Sequence, residues 1–344
     1  MSIHRHPSLY FEDGSVVLLL PSTDESLVAY RVHRSLLSAH SEVFADLFTV
    51  PSPAVPEKYD GVPLVKLSDN AQDMEHFLNC IYVPRILMTE AITVDSVFVN
   101  GAMRLSNKYS VPFIRDFIIE KLEERWPRTY GTWVSRDLEH ISLADKYKSL
   151  DNATHHGKID GQYYCDVVGD PASAIRFGVD HNVPSLLPSA FYELSSVDPS
   201  LDLDECHTAL ENGDESREKA ILESTKASAR WSIIQPKEFR LLIGGMDKLK
   251  SHSLTTLGFW FTIPSESCER QGICEEQVSV LRNRRWGRLE YDSILRYFHL
   301  AMAIAAADQK ICLKCKGVLL KKGRDEALKI WNSLPKDFSI RCLE

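Results

Sequence analysis

No apolar run in this 344-residue sequence approaches membrane-spanning length. The longest, Leu300–Ala307, falls far short of the roughly 20 residues a transmembrane helix needs. The opening MSIHRHPSLYFEDG has no apolar core of signal-peptide length. An intracellular location, cytoplasm or nucleus, is therefore expected, with no membrane partner. Eight cysteines without a secretory signal point to reduced thiols, metal binding being the exception to examine. The Asn152-Ala153-Thr154 sequon then carries no weight, because glycosylation requires secretion. Excess positive charge is missing too: 40 Lys+Arg stand against 48 Asp+Glu, a formal net charge of -8. The densest basic stretch, Arg282–Arg288, is short, contains Trp286 and reads as a solvated helix face, so no nucleic-acid partner is expected.

Catalytic signatures are equally scarce. There is no Gly-x-Ser-x-Gly elbow, phosphate-binding Gly-x-x-x-x-Gly-Lys-Ser/Thr loop, His-Glu-x-x-His pair or dinucleotide-binding Gly-x-Gly-x-x-Gly. Glu123-Glu124 and Glu275-Glu276 are adjacent on expected helices, and adjacent helical residues do not face each other as an acid/base dyad would. His155-His156 lies in a polar loop and reads as surface. No catalytic residue is assigned, and the chain is expected not to be an enzyme.

What is present is an ordinary globular composition, 44% hydrophobic and 26% charged, at a length that suits two domains. Val16–Leu20 is a short apolar run between Asp13-Gly14 and Pro21-Ser22 and reads as a buried strand, with Val28–Val32 as its hairpin partner. Leu36, Leu37, Val43, Phe44, Leu47 and Phe48 recur at helical spacing, broken at His40-Ser41, with Ser41 placed as an N-cap. The proline-rich stretch 50–61 reads as loop and Val62–Leu67 as a third strand. Ser68-Asp69-Asn70 caps a helix whose Met74, Phe77, Leu78 and Ile81 share one face. Helices over 94–108 and 112–126 follow, the second with Pro112 in its tolerant first turn. This order predicts an α+β unit with a small sheet and a helical cluster. Beyond it, helices are expected near 135–147, 171–181, 186–195, 215–230, 236–244, 275–284, 290–307 and 323–333. Loops are expected over Asp151–Asp170 and the acidic Asp198–Asp214. That region reads as mostly helical with no repeat period.

The stretch His33-Arg34-Ser35-Leu36-Leu37-Ser38-Ala39-His40-Ser41-Glu42-Val43-Phe44 resembles the signature of the BTB/POZ domain. In the right order around it stand Asp13-Gly14-Ser15-Val16-Val17-Leu18, Leu64-Val65-Lys66-Leu67 and Phe77-Leu78-Asn79-Cys80-Ile81-Tyr82, so the resemblance covers residues 8–127. The whole chain is most similar to BTB proteins of mushroom-forming fungi. These share the phrase Leu187–Leu194 and an ending in Cys312-x-x-Cys315 followed by Trp331, Leu334, Pro335 and Phe338. The resemblance implies a BTB fold over 8–127, a mostly α-helical region over 128–344, and a role as a protein-protein interaction adaptor, with other proteins or a second copy of itself as partners. The residues implied for the interaction unit are Asp13, His33, Arg34, Leu37, Ser41, Phe44, Met74, His76 and Tyr82. Two departures matter. The triplet aligned with the cullin-3-binding hydrophobic-x-Glu motif is Met74-Glu75-His76, with His in place of Glu. Pro7 argues against the N-terminal helix that segment-exchanging BTB dimers carry. His33 itself, at a strand-to-helix junction with no nucleophile or acid nearby in sequence, reads as structural.

Cys312 and Cys315 have the spacing of a zinc knuckle, and Cys268 and Cys274 lie upstream around Gly272. Together they are candidate ligands of a structural zinc, with Cys206, His207, His252 or Cys342 as substitutes, provided that helices 275–284 and 290–307 return the chain as a hairpin. Free buried thiols are the competing reading, and no βαβ pattern supports a redox role. Besides the adaptor, the alternatives are a ubiquitin-ligase substrate adaptor, a transcription-related regulator and an enzyme whose site is concealed after residue 127.

Overall fold

From Val16 to Leu20 every residue is buried. A strand dry on both faces belongs in the middle of a sheet, and the computed structural model of the chain places it there. Its residues 2–22, 26–50, 57–149, 158–212, 216, 228–256, 268–270, 272–283 and 293–343 are described. β1 (Ile3–Tyr10), β2 (Val16–Pro21), β3 (Leu27–Val32), β4 (Lys58–Tyr59) and β5 (Val62–Lys66) form one sheet in the order β1-β3-β2-β5-β4. The sheet is mixed. β2 runs antiparallel to β3, with Leu18 opposite Tyr30, and parallel to β5, with Leu18 opposite Val65.

Two strands were not expected. β1 is mostly exposed and polar, and its register shifts between Arg5 and Tyr10, which hides the alternation. It lies at the sheet edge, where the missing N–H of Pro7 is tolerated. β4 falls in the stretch read as loop. The Asp60-Gly61 turn that follows it has φ of 50° and 82°, the left-handed pair that a two-residue hairpin demands, and it folds β4 against β5.

The chain forms two compact units, Met1–Leu122 and Glu123–Glu344. In the first, Val17, Leu19 and Ala29 make one apolar layer on the sheet with Tyr10, Leu27, Tyr59, Val62 and Leu64 around it. The alternate residues Val16, Leu18 and Leu20 point the other way. On that side the Tyr30 hydroxyl donates to the Ala71 carbonyl at 2.7 Å. Helices α1 (Arg34–His40), α2 (Glu42–Thr49), α3 (Ala71–Tyr82), α4 (Ile86–Thr89), α5 (Val97–Lys108) and α6 (Pro112–Arg125) complete it, the last residues of α6 belonging to the second unit. The expected caps are present. Ser41 accepts from the Phe44 N–H, and Asn70 accepts from those of Gln72 and Asp73. Phe44 is fully buried, its ring 4.3 Å from that of Tyr109 and 6.4 Å from that of Phe77.

The second unit is helical: α7 (Tyr130–Lys148), α8 (Tyr164–Val168), α9 (Pro171–Asp180), α10 (Leu187–Ser195), α11 (Leu203–Glu211), α12 (Pro236–Thr256), α13 (Ile273–Asn283), α14 (Ile294–Ala307) and α15 (Leu313–Asp337). Both segments read as loops contain a helix. α8 is a single short turn. The acidic residues of α11 stand in its first turn, where they complement the helix dipole rather than mark a loop. α12 runs through Gly244-Gly245 instead of stopping there; Gly245 serves close packing rather than termination, since a side chain at that position would collide with the ring of Phe338. α15 starts ten residues earlier than the expected 323. The helix expected over 215–230 lies outside the described residues except at Ser216 and 228–230, where Ala229 bridges to Asp202 instead of continuing a helix. Asn152–Thr154, His155-His156 and 284–288 of the basic stretch also lie outside them. Among the described residues no helix is long and apolar enough to cross a membrane.

Truncating Phe44 leaves a cavity between α2, α3 and the end of α5. Phe44→Ala is expected to cost about 3–5 kcal/mol, read as a shifted urea midpoint of the full chain.

Candidate functional site

β3 ends at Val32 and α1 begins at Arg34, leaving His33 at the junction without a side-chain cap bond. Its role is to tie the ends of three elements together. The Tyr82 hydroxyl, at the last residue of α3, accepts from the His33 backbone N–H at 2.9 Å and lies 3.0 Å from Nδ1. On the other side of the ring, Nε2 lies 3.2 Å from the Asp13 carboxylate. That contact holds the Asp13 carboxyl below its usual range. Phe11 stacks on Tyr82 at 4.8 Å. Arg34 continues the knot: its N–H donates to Ser15 Oγ at 3.0 Å, and its guanidinium donates to the Phe48 carbonyl and lies 4.9 Å over that ring.

The remaining signature residues point inward. Leu37, Ser41, Phe44 and Met74 are buried, and Ser41, besides capping α2, donates to the Tyr109 carbonyl. In the α3 triplet only Glu75 and His76 reach the periphery. Glu75 lies 3.5 Å from His6, and the His76 ring packs edge-on to Phe98 at 5.4 Å. His76 Nδ1 is buried without a hydrogen-bond partner, against Gly101 of α5, and burial lowers the pKa of this imidazole. The sequence reading missed the outward face of α2. Val43 and Leu47 are 38% and 36% exposed at i and i+4, although both belong to the same periodic set as buried Phe44, and Val50, just past the helix end, is 64% exposed.

Residues 23–125 match the family model of the BTB/POZ domain. The N-terminal unit is a BTB domain. It is a protein-interaction module, and a mostly helical region follows it. No curated protein matches the chain.

Outside the BTB domain, the structure brings Cys268, Cys274, Cys312 and Cys315 together, their four sulfurs within 4.8 Å of one another. Cys274 stands in the first turn of α13. Cys312 caps α15, and Cys315 is in its first turn. Gly272, at φ +85°, turns the wide Cys268–Cys274 spacing back on itself. The Cys312 N–H donates to Cys274 Sγ at 3.3 Å. Backbone N–H groups of Cys315 and Glu269 pull the Cys312 thiol down to about 6, whereas burial pushes Cys315 and Cys274 up. The substitutes lie elsewhere. Cys206 is in the Tyr147–Tyr164 core, His252 is 3.0 Å from Asp337, Cys342 is exposed, and the His207 side chain lies outside the description.

A second feature of this unit went unrecognised in the sequence. Asp137 of α7, almost fully buried, receives Arg296 Nε at 2.9 Å and His299 Nε2 at 2.6 Å, both from α14. Burial works to raise its carboxyl, but hydrogen bonds from His299 and the charge of Arg296 outweigh that and hold it well below the usual range. Next to it, Arg136 pairs with Glu193, which also accepts from Trp133 Nε1 at 2.6 Å. A small cleft beside them is lined by Trp126, Arg136, His140, Tyr164, Glu193 and Arg296. Its charges are matched in pairs. Burial, reinforced by Arg136 and Arg125, pushes His140 down to about 3, so it sits neutral between them.

Asp137→Asn strands the buried Arg296, and a loss of about 3–5 kcal/mol is expected by denaturant unfolding. His140 titrates at 6.5 when unfolded and about 3 when folded. The unfolded chain therefore binds the extra proton in that window, and stability falls as pH drops below 6.5. Melting curves from pH 7 to pH 4 are expected to show a flatter pH dependence for His140→Phe than for the parent.

Proposed function

We propose that this chain is a non-enzymatic adaptor: its BTB domain recruits a protein partner, and its helical unit supplies the second half of the assembly. The single observation that carries this is the exposed apolar pair Val43 and Leu47 on α2, with Val50 just past its end, in a domain whose fold is an interaction module. The partner is a protein, a second copy of the chain included. Exchange of an N-terminal helix has no support, since β1 is a strand paired to β3 of its own chain. Docking of a cullin-3 scaffold through Met74-Glu75-His76 is disfavoured by the same domain, where Met74 is interior and Glu75 faces His6. Nothing favours a transcription-related role over this one, and the paired charges of the helical cleft offer no argument for an enzyme. The phrase Leu187–Leu194 and the Cys312-to-Phe338 ending support placing the chain with the BTB proteins of mushroom-forming fungi.

An affinity pull-down and light scattering with the full chain test the reading. The parent is expected to enrich a protein partner or to self-associate at tens of micromolar. Val43→Glu/Leu47→Glu is expected to weaken that at least about tenfold, the scale of losing one 1.4 kcal/mol contact, with an unchanged melting point. A double variant that binds like the parent would remove α2 as the surface. A parent that enriches nothing, itself included, would overturn the adaptor.

A further inference from the structure

Independently of the adaptor reading, we infer that Cys268, Cys274, Cys312 and Cys315 hold one structural zinc ion as four thiolates. The fit is geometric. A tetrahedral ion with Zn–S bonds of about 2.3 Å has sulfurs about 3.8 Å apart along each edge, and the four sulfurs here lie within 4.8 Å of one another. That is too compact for a multi-iron cluster with bridging sulfides, and every one of these thiols is free. Four protein ligands leave no open position, so the site is structural rather than catalytic.

The surroundings suit the charged form. Four thiolates around a divalent ion carry two net negative charges. Two helix N-termini, of α13 and α15, meet at the site, and the Cys312 N–H points at Cys274 Sγ. The basic residues flanking the ligands are themselves tied down. Lys314 pairs with Glu269 at 3.2 Å, Lys316 donates to the Ala306 carbonyl at 2.8 Å and Arg270 to that of Gln309 at 3.3 Å. Each of these bonds joins one cysteine-bearing segment to another or to the end of α14. The ion would therefore fasten the loop from Cys268, the start of α13 and the start of α15 at one point, work that an apolar contact of so few residues does poorly.

Elemental analysis of the full chain, purified without chelator, tests this. About one zinc per chain is expected. It should be retained in Cys165→Ser and Cys342→Ser and lost in Cys312→Ser/Cys315→Ser. Should that variant fail to fold, cobalt exchanged into the parent reads the same site, giving the strong visible bands of a tetrahedral tetrathiolate. A zinc-free parent whose helices stay folded and whose four thiols react freely would overturn the inference. So would disulfides among them in non-reducing mass analysis, or iron in place of zinc.

Discussion

The buried carboxylate of Asp137 is the point on which the helical unit turns. A charge taken out of water is tolerable only with partners in good geometry, and Asp137 takes both of its partners from one helix, Arg296 and, a turn later, His299 of α14. Trp133, one turn before Asp137, meets the His299 ring edge-on at 5.8 Å and donates to Glu193 of α10, which Arg136 also holds. The rotation and height of α7, α10 and α14 are thereby locked by groups that would each be costly if misplaced. Apolar packing alone accepts many rotations of a helix pair; this arrangement accepts one.

That network also explains why the sequence was less legible here than in the BTB domain. The partners lie in separate helices, and each taken alone is an ordinary polar residue. A faint signal existed. Arg296 and His299 interrupt Ile294–Ala307, a helix otherwise apolar enough to be buried, where a lone charge must be answered by another. In the BTB domain the information was local instead. The run Val16–Leu20, the Ser41 and Asn70 caps and the His33–Phe44 stretch each specify structure within a few residues. What escaped was an edge strand, whose exposed side chains carry no alternation, and a hairpin two residues wide. The α2 stripe escaped for a related reason: periodicity marks an apolar face without saying whether anything covers it.

The cysteines fall between these cases. Their types and the Cys312–Cys315 spacing were visible, but Cys268–Cys274 was wider than a knuckle, and only the left-handed turn at Gly272 shows how the chain absorbs the excess. The two helices expected between the cysteine pairs are present as α13 and α14, and 284–292, which connect them, lie outside the described residues.

One helix then connects the two arrangements. α14 begins at the Asp137 charge cluster and ends where Ala306 accepts from Lys316, beside the cysteines. Its N-terminal end is pinned by ionic bonds that need no metal. Its C-terminal end buries Ala301 and Ala305, exposes Ala303, Ala306 and Ala307, and is tied to α15 through Lys316. If the cysteines hold the inferred ion, its removal is expected to act first on α13 and the start of α15, the elements that carry the ligands. The charge cluster thus secures one end of α14 by ionic bonds, and the four cysteines stand where the segments around its other end converge.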